Sequence, residues 1–388
     1  TTAEGQSAAD SYYLKKYGVD GQSGVFGKTL SRRQALGAFL GNIGVNLQLQ
    51  GRPKDAVLVH KKAVEINPYL AGAHSNLGAA LLEAGMPQEA IVSLKKALEL
   101  APASIDALIN MGQALSVSGR HADAAAVFER AVRAGPDEPA SYDGLGMAYF
   151  RAGMEKKGIE SVEKALQLDS GYHNAWNNLG VIYMKKGDAA SAARMFRRAA
   201  VLNRNSHETR ANLANALHRL GMDYEAIGEY EKALSLSPAD FASAYNMGLI
   251  YHKMGKTADA EEAYQRALSI NPKEELALYN LAVLYQENGR REKAVKVYER
   301  LLEKNPGHRQ ARCNLAAALQ EAGEYEKALV EYEKVLRIRP DDANVYFNMA
   351  LIWHSRENYE KAAVYYRKAL KYRPDFKEAK ENLKLLGI

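Results

Sequence analysis

Residues 173–206, HNAWNNLGVIYMKKGDAASAARMFRRAAVLNRNS, decide how this chain is read, because the same 34-residue pattern recurs in phase on both sides of them. Stepping outward from His173, ten blocks run from Gly37 to Phe376 without an insertion or deletion. Self-similarity at this period marks a solenoid, in which each block buries its apolar face only against its neighbours. Three segments follow: an N-terminal extension over 1–36, ten tandem repeats over 37–376, and a closing helix over 377–388. Little chain is left for a separate catalytic domain.

Within each block, position eight is small (Gly180 in the quoted stretch), and so is position twenty (Ala192, and Gly158 one block earlier). Small residues in each of two apolar-periodic stretches let a pair of helices approach closely, while apolar position seven, such as Leu179, supplies the filling. Position fifteen is Gly in nine blocks and Glu357 in the last, which predicts a left-handed residue ending the first helix. Position thirty-two is Pro in eight blocks; Ser170 and Arg204 replace it in the fourth and fifth, so those second helices are expected to end less sharply.

This pattern resembles the tetratricopeptide repeat (TPR) family. The quoted block carries the family signature at Trp176, Leu179, Gly180, Tyr183, Ala192, Phe196 and Ala199. The resemblance covers all ten blocks. It implies an all-α fold: a right-handed superhelical solenoid of ten helix-turn-helix repeats, with a concave groove lined by the first helix of each pair. The closing stretch KEAKENLKLLGI (377–388) reads as an amphipathic capping helix with polar outer positions.

The most function-like column is position six: Asn42, Asn76, Asn110, Gly144, Asn178, Asn212, Asn246, Asn280, Asn314 and Asn348. Asparagine is a poor mid-helix residue, since its amide competes with the backbone for hydrogen bonds. An amide offers both a donor and an acceptor, so a row of them suits the main chain of an extended peptide. The column is similar to the asparagine ladders in the TPR domain of O-GlcNAc transferase and in the armadillo-repeat importins. The other reading is local: Asn is common here in TPR consensus sequences and bonds a neighbouring helix. Both stand at this point. At about 1 kcal/mol per net hydrogen bond, such a grip predicts micromolar rather than nanomolar binding.

Specificity is expected from the columns that vary. Position thirteen is basic at Arg151, Lys185, Arg219 and Lys253 and acidic at Glu83, Glu287 and Glu321, so it selects an acidic segment or is a solvated face. Position five offers Tyr245, Tyr279, Cys313 and Phe347 as an apolar platform. The two-carboxylate clamp of the TPR chaperone adaptors needs Lys or Arg where this chain has residues such as Asp106, Asn177, Ala211 and Tyr245, so that mode is not expected. The break at Gly144, with Ser170 and Arg204, marks repeats four and five as the place for a bend or special contact.

Other signals for chemistry are weak. The stretch GQSGVFGKT (21–29) lacks phosphate-loop spacing, because Gln22 stands where the first Gly belongs, and no strand precedes it. It reads as a Gly-rich connector after a short helix near Ala8–Tyr17. Ser31-Arg32-Arg33-Gln34 superficially matches a twin-arginine signal, but a capping box opening the first helix is the simpler reading. His218, His252 and His354 share position twelve without a carboxylate or thiol in the column to complete a metal set. Cys313 is the only cysteine, which excludes an intrachain disulfide. A net charge of +6, from 52 basic and 46 acidic residues, does not by itself call for nucleic acid. No apolar run is long enough for a transmembrane helix.

The expectation is therefore a non-enzymatic adaptor or assembly scaffold, without cofactor or metal, that binds an extended, acidic segment or a complex subunit of protein. The alternative is the substrate-recognition module of a glycosyltransferase-type enzyme whose catalytic part lies elsewhere. The opening Thr-Thr fits a soluble chain of the cytoplasm or of an organelle interior after removal of a presequence.

Overall fold

The computed structural model describes residues 32–387, with side chains from Leu36 onward. These residues form 21 helices and no strand. The short helix near Ala8–Tyr17, the connector over 21–29 and Ser31 of the capping box lie outside the described residues. From the second repeat onward the first helix fills positions one to thirteen and the second fills seventeen to thirty, as in His173–Lys185 with Ala189–Leu202. The first repeat opens with a longer helix, Arg32–Leu49.

The inter-helix turn is closed as the glycine column predicts. Gly187 has φ 84°, its N–H donates to the Met184 carbonyl at 3.2 Å, and the Asp188 N–H reaches back to Tyr183 at 3.0 Å. Glu357 takes the same left-handed conformation, with φ 59°, at a steric cost that glycine avoids. Position eight is small because the position twenty-four side chain of its own repeat lies over it: a Cβ on Gly180 would stand 2.6 Å from the Phe196 ring. Repeat four is the tightest pair, since a Cβ on Gly158 would meet the Gly146 carbonyl oxygen at 2.9 Å.

The second helices lacking the recurring proline nevertheless end where the others do, at Leu168 and Leu202. At Ser170 a side chain ties the turn. The Trp176 indole N–H donates to the Ser170 carbonyl at 2.9 Å. The same position-four bond recurs from His74 to Pro68, Arg312 to Pro306 and Tyr346 to Pro340. Where position four is Leu108 or Leu278 and has no polar group, Arg130 and Arg300 at position twenty-six reach Pro102 and Pro272 instead. Each bond satisfies a carbonyl that a helix end leaves open.

The chain divides into two compact units, the first ending at Arg204 and the second starting at Asn205. The division falls at the turn where Arg204 stands in place of proline. Phe128, Leu94 and Val162 are buried in the first unit; Tyr230, Tyr264, Tyr298, Tyr332 and Tyr366 are buried in the second. The final helix, Lys377–Leu385, packs on the last pair through Phe376, Ala379 and Leu383.

Candidate binding face

First helices of consecutive repeats adjoin one another from the first repeat to the fifth in the first unit and from the seventh to the tenth in the second. Positions two, six, nine and thirteen share one face of each helix by the 3.6-residue period. The position-six asparagines from Asn76 onward are half-buried, and Asn42 is exposed.

In the second unit these amides have partners. Asn246 donates to Asn215 at 3.3 Å and to the Tyr230 phenol; Asn280 donates to Tyr245 at 2.7 Å. Asn314 reaches both Tyr279, at 3.1 Å, and Tyr298, at 3.2 Å. Asn348 donates to Tyr332. Asn382, which the closing helix places at the sixth position of an eleventh block, donates to Tyr366. The phenols pass the bond on: Tyr298 to Gln286 and Tyr332 to Gln320, both at 3.1 Å. Tyr264 and Tyr366 share hydrogen bonds with His252 and His354. Burial pushes the Tyr230, Tyr264, Tyr298 and Tyr332 phenols well above the usual tyrosine range. This relay, from asparagine through a buried phenol to position twelve of the preceding repeat, accounts for His354, whereas His252 shares only the phenol bond because Asn280 is turned to Tyr245. The third member of the column, His218, pairs with Asp223 at 2.6 Å. Asn212 is half-buried as well.

In the first unit position twenty-four is His60, Leu94, Phe128, Val162 and Phe196, none of which carries a phenol. Among the described residues the Asn76 and Asn110 amides have no hydrogen-bond partner. Gly144 explains itself: a Cβ there would stand 2.2 Å from Phe128, whose ring occupies the space an asparagine would need. Asn178 turns to the preceding repeat and donates to both oxygens of Asp143, at 2.9 and 3.0 Å. Asp143 is only 6% exposed, and burial raises its carboxyl to about 6 despite that bond. The special contact expected around Gly144 is therefore this Phe128–Gly144 and Asp143–Asn178 pair.

The basic column divides in the same way. Arg151 and Lys185 belong to the first unit, are exposed, and have no ion-pair or hydrogen-bond partner among the described residues. Arg219 and Lys253 belong to the second, where Lys253 lies 3.3 Å from Asp223. Of the acidic members, Glu287 pairs with His252 at 2.7 Å and Glu321 lies 3.5 Å from Arg291.

The position-five aromatics face neighbouring rings. Tyr245 stacks on Phe241 at 5.7 Å, Tyr279 stacks on His308 at 5.6 Å, and Phe347 meets Phe376 at 4.7 Å. Tyr245 and Tyr279 also accept hydrogen bonds from the next repeat, a role that spacing alone does not reveal. Among the described residues no group of three or more His, Cys, Asp or Glu is placed to hold a metal, and no helix is long and apolar enough to cross a membrane.

Comparison with known proteins agrees with this architecture. Family models described as tetratricopeptide repeat match residues 81–146 and 251–319, 171–237, 343–376, 229–262 and 139–172, and one described as TPR repeat matches 321–355. No curated protein matches the chain. Among solved structures it is similar to YrrB, described as a TPR protein with an unusual peptide-binding site, at 26% identity and TM-score 0.39, covering 48% of this chain and 96% of that one. It is similar to MamA from Desulfovibrio magneticus RS-1 at 26% identity and TM-score 0.38, covering 46% and 99%. A tetratricopeptide repeat protein from Parabacteroides merdae aligns at 21% identity and TM-score 0.45, covering 66% and 100%. With repeat models matching well over half of its length, the chain belongs to the tetratricopeptide-repeat family.

Proposed function

We propose that this protein is a non-catalytic adaptor that holds an extended segment of a partner protein along the face formed by its first helices. The observation that carries the reading is the row of half-buried position-six amides, some with hydrogen-bonding capacity unspent within the chain. A half-buried amide without a partner is costly, at about 1–3 kcal/mol once water is excluded, and a peptide main chain supplies the matching donor and acceptor. Such recognition reads the backbone first and takes its selectivity from the flanking charges.

The test is selection of displayed short peptides on the immobilised full chain. The reading expects peptides that bind with micromolar affinity in an extended conformation, free of any requirement for folded structure. If no peptide is enriched over a blank surface, the extended-segment reading fails.

A further inference from the structure

We infer that the first unit, rather than the second, carries the partner-binding face, and that its occupant is an extended segment with its main chain on Asn76 and Asn110 and acidic side chains against Arg151 and Lys185. The inference rests on the function proposed above and narrows it to one place and one chemistry.

Two independent features coincide. The first is the amide row: in the second unit Asn246, Asn280, Asn314 and Asn348 donate to neighbouring side chains, whereas Asn76 and Asn110 donate to none among the described residues. The second is the basic column, where Lys253 is committed to Asp223 and Arg151 and Lys185 are uncommitted. A side chain already satisfied inside the fold must give up that bond before it can hold a ligand, and the exchange gains little. An unpaired amide or cation gives up only water. Both kinds of recognition group are therefore poised in the first unit, at Asn76, Asn110, Arg151 and Lys185, with Asn178 the amide there that is already held by Asp143.

The occupant follows from charge and spacing. The four residues sit on four consecutive repeats, with the amides in the second and third and the cations in the fourth and fifth. Neighbouring helices lie about 8–10 Å apart and an extended chain advances about 3.3 Å per residue, so the three steps between these four repeats take about seven to nine residues of peptide. One end of that segment meets the amides with exposed Glu83 beside Asn76 on the same face, and the other meets two exposed cations, which favours carboxylates at the cation end and disfavours them at the amide end. Asp143 does not spoil the match, because it is buried and turned to Asn178.

The experiment uses the full chain and the peptides selected from the displayed library. The pairs N76A/N110A and R151E/K185E are expected to raise Kd at least about tenfold with unchanged melting temperature. N246A/N280A is expected to lower the melting temperature and, in the folded protein, to leave Kd within about twofold. The selected peptides should be richer in Asp and Glu than the input library. If N246A/N280A weakens binding as much as N76A/N110A does, or if neither first-unit pair weakens it, the inference is overturned while the extended-segment reading stands. Selected peptides with no excess of Asp and Glu overturn the assignment of an acidic occupant. If no peptide is selected, both readings fall together.

Discussion

The two units are built on one repeat yet use its sixth position in opposite ways. In the second, a buried tyrosine at position twenty-four catches the asparagine of the following repeat, and the polar layer becomes part of the fold. In the first, Leu94 precedes Asn110 and His60 precedes Asn76, so those amides are left with water. A repeated residue is thus not a repeated function. What an asparagine does is set by whether the preceding repeat brings it a polar partner, either sixteen positions earlier, as Tyr298 does for Asn314, or thirty-five positions earlier, as Tyr245 does for Asn280 and Asp143 does for Asn178.

The comparison can be broken most forcefully at the phenols. Tyr298 and Tyr332 are almost fully buried, so truncating either to Ala should cost about 3–5 kcal/mol in chemical denaturation. Removing only the hydroxyl, as in Tyr298→Phe, should cost about 1 kcal/mol or somewhat more, because Asn314 and Gln286 each lose a partner. If Tyr298→Phe is neutral, the phenol relay contributes nothing and the two units do not differ in the way described.

Titration separates the units next. Burial raises Asp143 to about 6, above its ordinary 3.8, so the folded state holds that proton after the unfolded chain has released it. The first unit should therefore gain stability from Asp143 as pH falls from about 6 to about 4. His60, fully buried and bonded to Gln48 at 3.1 Å, is lowered from 6.5 to about 4 by burial. The unfolded chain takes up that proton first, so His60 makes the same unit lose stability as pH falls from 6.5 to 4. Each effect is of the order of 3 kcal/mol at its limit. The two nearly cancel in the native protein. In Asp143→Asn only the loss should remain, read as lower amide protection factors in the first unit on acidification, after the intrinsic slowing of exchange at low pH is divided out; unchanged protection factors from pH 6.5 to 4 would contradict the assignment.

A tighter local contrast lies in repeat four. Gly158→Ala places a methyl 2.9 Å from the Gly146 carbonyl oxygen and should destabilise by about 1–3 kcal/mol, although every other repeat has alanine at that position. The smallest expected effect is favourable. Glu357→Gly removes the cost of a left-handed glutamate and should stabilise by about 1 kcal/mol, measured as a shift in the denaturation midpoint.

Much of this was legible in the chain itself. The period gives both helices of every repeat, and the glycine at position fifteen gives the turn. Gly144 is also visible as an irregularity. Its cause is not, because the Phe128 ring that fills the space lies in the preceding repeat and only packing brings it there. The same reason hides the Asn314–Tyr298 bond: each column was readable alone, but nothing local says that position twenty-four of one repeat meets position six of the next. The turn at Ser170 looked weaker than it is, because ending a helix does not depend on proline alone: the Trp176 indole ties the Ser170 carbonyl as position-four side chains tie Pro68, Pro306 and Pro340. The basic column over Arg151, Lys185, Arg219 and Lys253 looked continuous, yet its members belong to two units and differ in what they pair with.

Side-chain amide proton exchange, followed by NMR on the protein without any ligand, distinguishes amides bonded within the fold from amides left to water. The account predicts slow exchange for the NH2 groups of Asn280 and Asn314 and solvent-like exchange for those of Asn76 and Asn110. Equal protection in the two sets would contradict it.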